Sequence, residues 1–292
     1  MPNSYLSLAE LRAAVPDGLK QSVTKYDAQM LLLLSEGSRF VDNYCKRVFY
    51  PYLGTRYFHG SGTCIQRIAD IISITSVSYS DDDGATYTAL TASDYYATVA
   101  RDHNSFKSYD ALELNVNGTT LSCWPTGQRS IKVVGVWGYC DDRNLCWEST
   151  GDTTENNPLA SGGTSLTVND VDGLDIYGAA PRFQAGALYR IESEYVEATL
   201  VQDTTSNTIG ILRGRNGTTA ASHVQNTVID VWRPPEPVKQ AIAISVFKHL
   251  QRGFQGFGDA RATPELGQLF FMKALDPDAI SKLTYYVNDL AF

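Results

Sequence analysis

Apolar positions change their period twice along this chain. From Ser7 to Val48 they recur at helical spacing, from 53 to 232 they alternate in short runs between turn residues, and from Pro235 to Val287 helical spacing returns. Ser7-Leu8-Ala9-Glu10 is a capping box, with Leu6 and Leu11 placed as a hydrophobic staple, and Pro16-Asp17-Gly18 ends the short helix it starts. A second helix is predicted from about Thr24 to Val48, with Met30, Leu34, Val41, Cys45 and Val48 on one stripe that Phe40 and Tyr44 widen.

Beyond Thr55 the period of two predicts strands at 55–59, 64–67, 74–79, 95–99, 111–116 and 130–137. Asp81-Asp82-Asp83-Gly84 makes a turn, and Gly135 and Gly138 mark close backbone approach or a bend. The stretch 151–163 is rich in Gly, Ser, Thr and Asn and reads as a linker. A second run of strands at 165–168, 188–191, 195–201, 208–213 and 227–232 suggests a small barrel or sandwich. Arg233-Pro234-Pro235-Glu236-Pro237 is a stiff hinge into a helix that buries Val238, Ile242 and Val246 and stops at Gly253. A loop at 253–258 carries Phe254 and Phe257, and a last helical region runs from Pro264 toward Tyr286, broken at Asp276-Pro277.

The fold class this predicts is α+β: a helical bundle formed by both chain ends, with a β-rich excursion and an inserted small β-barrel or sandwich. The expected units are a helical core from 1–52 and 233–292, the excursion at 53–150, and the insert at 159–232.

Composition narrows the function classes. With 43% hydrophobic residues the 292-residue chain can build real cores, and 17 tyrosines suit strand faces and protein contacts. A net charge of −8 argues against a general grip on nucleic acid, which depends on Lys and Arg displacing counterions. No segment has the ~20 apolar residues of a membrane span, and the start lacks the pattern of a secretory signal. Five cysteines at unpatterned positions fit a reducing cytoplasm better than a disulfide scaffold.

Candidate chemistry is sparse. His59, His103, His223 and His249 lie far apart in sequence with no metal-ligand spacing, so no metal and no cofactor is expected. Cys140 and Cys146 offer two thiols without a second pair. Glu192 and Glu194 share a strand face, which allows a paired-carboxylate hydrolase as a rival reading beside a solvated face. Arg213-Gly214-Arg215-Asn216-Gly217-Thr218 lacks the following helix and Lys-Ser/Thr pair of a phosphate loop, and Asn216-Gly217 fits a hairpin turn.

Four pieces of the chain, in order, carry a resemblance. They are 5–11 (Tyr-Leu-Ser-Leu-Ala-Glu-Leu), the helix end at 38–49 from Ser38 to Phe49, the strand at 133–139 ending Trp137-Gly138-Tyr139, and the helix opening Pro237-Val238-Lys239-Gln240-Ala241. Together they resemble the head–tail connector (adaptor, or head-completion) proteins of tailed bacteriophages. The run at 211–218 with Ala221 and His223 is similar to a small β module of other phage structural proteins, here as an insertion.

The resemblance implies a non-enzymatic structural protein of the virion neck: a homo-oligomeric ring, commonly dodecameric, under the portal protein. Such a ring extends the DNA channel and offers a surface to the tail or the next connector, while double-stranded DNA passes without sequence-specific binding and no membrane is involved. The C-terminal segment commonly reaches the portal, which makes Tyr285, Tyr286, Leu290 and Phe292 candidate portal anchors. Phe254 and Phe257 are candidates for the subunit interface. The alternative is a carbohydrate- or surface-binding β module of a phage tail or fibre, suggested by the Tyr- and Trp-rich strands.

Overall fold

The structure, a computed structural model, describes residues 3–14, 27–100, 105–118, 121–254, 260–263, 268–271 and 277–288. Its bulk is strand. Two six-stranded antiparallel sheets form the body, and the described residues hold four α-helices: α1 (Leu8–Ala14), α2 (Asp27–Cys45), α3 (Glu236–Phe254) and α4 (Pro277–Leu283). The expected helical bundle is therefore corrected to a predominantly β molecule with a helical layer. Within the helical region expected from Pro264, the described residues Gln268–Phe271 instead form β14, paired antiparallel with β13 (Ala260–Thr263). Among the described residues of that region, α-helix is found at Pro277–Leu283.

The first sheet comprises β1 (Tyr52–Gly60), β2 (Ile65–Tyr79), β3 (Thr88–Leu90), β4 (Tyr95–Thr98), β5 (Tyr109–Leu114) and β6 (Gly127–Trp137). Its order is β1-β6-β2-β5-β4, with β3 paired on β2. The two predicted strands 64–67 and 74–79 are one strand, β2, 15 residues long. Its register slips against β5 between Arg67 and Ile71, and against β6 between Ile71 and Ser73 and between Ile74 and Ser76. Each bulge adds a residue to one side and resets the alternation, which hides the strand from a period-two reading. Gly135 allows one of these crossings, because a Cβ there would stand 2.2 Å from the Ser73 carbonyl oxygen. Ile68, Ile71, Leu112, Trp124, Ile131, Val133 and Trp137 fill this sheet's core.

The second sheet begins at β7 (Trp147–Thr153) and adds β8 (Ser165–Thr167), β9 (Leu188–Ile191), β10 (Glu194–Asp203), β11 (Thr208–Leu212) and β12 (Val228–Trp232) in the order β7-β12-β9-β10-β11-β8. Its outer strands meet through the Thr154–Val168 bridge and the Glu155 N–H donating to the Thr167 carbonyl at 2.8 Å, so the sheet closes around its core. Residues 151–163, expected as a linker, are part of that closure. Their polarity is deceptive: the buried Asp152 accepts hydrogen bonds from Thr153 N, Asn169 N, Asn169 Nδ2, Asp170 N and Arg182 Nη1.

The helices lie on a third core. The capping box closes, with Ser7 N–H donating to Glu10 at 2.8 Å and Glu10 N–H to Ser7 Oγ at 3.1 Å. Tyr5, Leu11, Leu34, Val41 and Phe49 from one end of the chain pack with Val238, Ile242, Leu283 and Tyr286 from the other. Trp232 stitches this layer to the second sheet through its indole N–H, 2.9 Å from the Phe49 carbonyl oxygen.

Candidate functional site

The tightest polar cluster lies at one end of the second sheet. Glu194 opens β10 after a tight turn from β9, and its side chain is fully buried, not on the solvated face expected for it. Arg213 grips it bidentately, Nε to Oε1 at 2.7 Å and Nη2 to Oε2 at 2.6 Å. The Gly214 and Ala221 N–H groups add bonds of 3.0 Å each. The buried His223 completes the set, with Nε2 2.8 Å from Glu194 and Nδ1 2.7 Å from Glu192. Burial pushes the Glu194 pKa upward, but Arg213, the two amides and His223 outweigh it and hold the carboxyl at about 2.

This cluster is built as a strut. Both Glu194 oxygens are already used, and the remaining Arg213 N–H groups go to the carbonyls of Ala160, Gly163 and Ala221. The cluster ties β10, the loop after β11 and the 159–163 segment together. Histidine spacing along the chain gave no hint of it, because Glu192 and Glu194 lie about 30 positions from His223. The run from Arg213 to His223, whose residues suggest a turn and a resemblance to a small β module, was the available signal. Asn216 and Gly217 do take positive φ, 51° and 82°, with Thr218 N–H donating to Arg215 O at 3.1 Å. No second hairpin strand follows, however. The turn instead docks on the first sheet, where Leu53 N–H donates to Asn216 O at 2.9 Å.

A second charged cluster seals the junction of helices and second sheet. Arg233 reaches Glu148 at 2.7 Å and Asp175 at 3.3 Å, while Lys239 reaches Glu10 at 2.8 Å and Glu236 at 2.5 Å. The cavity left among these groups is about 30 Å³, the share of a single water molecule. It offers no room for a substrate.

The predicted partner residues fall into three sets. Tyr285 stands on the surface at 63% exposure, its ring 4.1 Å from Lys107 Nζ. Tyr286 is buried in the chain's own core, edge-on to Phe49 and Tyr139, with its hydroxyl donating to Asp141 at 2.9 Å. Phe254 is the last residue of α3; its side chain, and Phe257, Leu290 and Phe292, lie outside the described residues. Cys140 and Cys146 are both buried and unbridged, in the connection between the sheets. Among the described residues no group of three or more His, Cys, Asp and Glu is placed to hold a metal, and no helix is long and apolar enough to cross a membrane.

Neither protein-family models nor curated proteins give a match to this chain.

Proposed function

We propose that this chain is a structural subunit of a tailed-phage virion, a head–tail adaptor that assembles into a ring beneath the portal. The observation that carries the reading is the shared core of the two chain ends, in which Leu11, Leu34 and Val41 pack with Val238, Ile242 and Leu283. That core returns the chain to its starting point after two sheet excursions and leaves Tyr285 outward beside a buried Tyr286. Protein-facing surfaces on rigid modules are what a connector needs, and the sequence motifs that carry the resemblance lie on the elements of this core and its rim. In this reading the ring extends the DNA channel, and the tail or next connector docks on the far side.

Co-sedimentation with the cognate portal, followed by electron microscopy of the product, tests it. A ring seated on the portal is expected, and Tyr285→Ala should weaken portal binding at least tenfold while the melting temperature stays unchanged. A protein that remains monomeric in the presence of its portal overturns the assignment.

A further inference from the structure

A cleft of about 220 Å³ opens where the end of α2 meets the first sheet, lined by Asp42, Lys46, Arg47, Arg56, Asp70 and Gly138 among others. Its two guanidinium groups are posed by one short piece of backbone. Arg56 lies over the Trp137 ring at 4.7 Å, and Arg47 over the Tyr139 ring at 4.5 Å. Gly138 sits between those rings with φ +137°, and a Cβ there would meet the Tyr50 carbonyl oxygen at 2.4 Å, so the clamp depends on a glycine. Stacking on aromatic faces fixes guanidinium planes and leaves their N–H edges to something else.

Those edges are poorly used. Arg56 has no hydrogen bond or ion pair among the described residues. Arg47 Nε is buried without a hydrogen-bond partner, since its nearest carboxylate, Asp70, is 3.7 Å away. Asp42 is already engaged, by Tyr5 at 2.5 Å and Arg39 at 3.1 Å. Lys46 stands at the mouth with φ +51° at the helix end, a position where glycine is the ordinary choice. A lysine held there against its backbone preference adds a third cation. A planar carboxylate is filled by one bidentate fork, whereas two forks and an ammonium from different elements match an anion with three or four oxygens.

We infer that this cleft is a binding site for a phosphate-class oxyanion, held by Arg47 and Arg56 with Lys46 closing over it. The site belongs to the isolated chain and stands apart from ring assembly.

Titration calorimetry with inorganic phosphate at constant ionic strength, with sodium acetate and sodium chloride as controls, reads it directly. Saturable phosphate binding is expected, weakened at least tenfold in Arg56→Gln and to a lesser degree in Arg56→Lys, which keeps the charge without the fork. Lys46→Gly separates binding from folding: it should weaken phosphate severalfold while raising the melting temperature. Displacement of phosphate by a short DNA duplex would assign the natural source to a phosphodiester backbone, and indifference to the duplex would assign it to a free or terminal phosphate; both support the site. Heats equal for phosphate, acetate and chloride, or identical affinities in wild type and both Arg56 and Lys46 variants, overturn it.

Discussion

Two buried carboxylates pull the stability of this protein in opposite directions with pH. Burial is the main influence on Asp42 and raises its pKa from an ordinary 3.8 to about 6, against the bonds from Tyr5 and Arg39. A raised folded-state value means its contribution is complete below 3.8 and is lost as pH rises through about 6. Glu194 is the reverse: its folded value of about 2 lies below the ordinary 4.5, so its contribution is present above 4.5 and disappears as pH falls toward 2. Chemical denaturation across pH should show both limbs. Asp42→Asn should flatten the change between 3.8 and 6, and Glu194→Gln should remove the acid limb. At neutral pH Glu194→Gln should also cost ~3–5 kcal/mol, because it strands the Arg213 charge in a buried site. Unchanged stability there would mean that Arg213 finds water when its partner is lost.

Glycine and polar residues at turns carry more of the elements than their composition suggests. Gly217 sits at φ +82°, and a Cβ would fall 2.0 Å from the Leu53 carbonyl oxygen, so both conformation and space exclude a side chain. Gly217→Ala is expected to cost ~2 kcal/mol or more, since strain at a special φ and a backbone clash act together. Hydrogen exchange at Leu53 N–H, the donor to Asn216, should speed up in the same variant. The turn itself was legible in the dipeptide Asn216-Gly217, as were the capping box and most strands. What escaped was tertiary. Bulges broke the period of β2, and the polar 151–163 segment hid a strand whose buried Asp152 is satisfied by five donors. β14 lay inside a stretch expected to be helical. Local periodicity registers which face is buried, but not which polar groups will find partners after the chain closes.

At the scale of the molecule, three larger cores are joined by a fourth apolar cluster, in which Ile72 of the first sheet packs with Leu188, Tyr195 and Trp232 of the second, and by a few directed bonds, and this decides whether the protein unfolds in one step or several. The second sheet meets the helical layer through Trp232 to Phe49 and through Arg233 and Lys239. It meets the first sheet through the Asn216 carbonyl, which accepts from Leu53 N–H, while the Asn216 side chain donates to Asn3 Oδ1, ahead of α1, at 2.7 Å. These ties are buried or partly buried, so each lost partner leaves a desolvated polar group behind, at ~1–3 kcal/mol apiece. Local opening of the second sheet would break several at once. The expected result is a single cooperative transition in which amides of β6 and β12 exchange with the same free energy. Trp232→Phe removes the indole N–H together with part of the buried ring and leaves the Phe49 carbonyl unpaired, and should lower that shared free energy by at least ~1–3 kcal/mol in both sheets together. If β12 alone loses protection while β6 keeps its own, the two sheets are independently stable modules joined only by contact. The ring proposed here would then have to acquire its rigidity from neighbouring subunits.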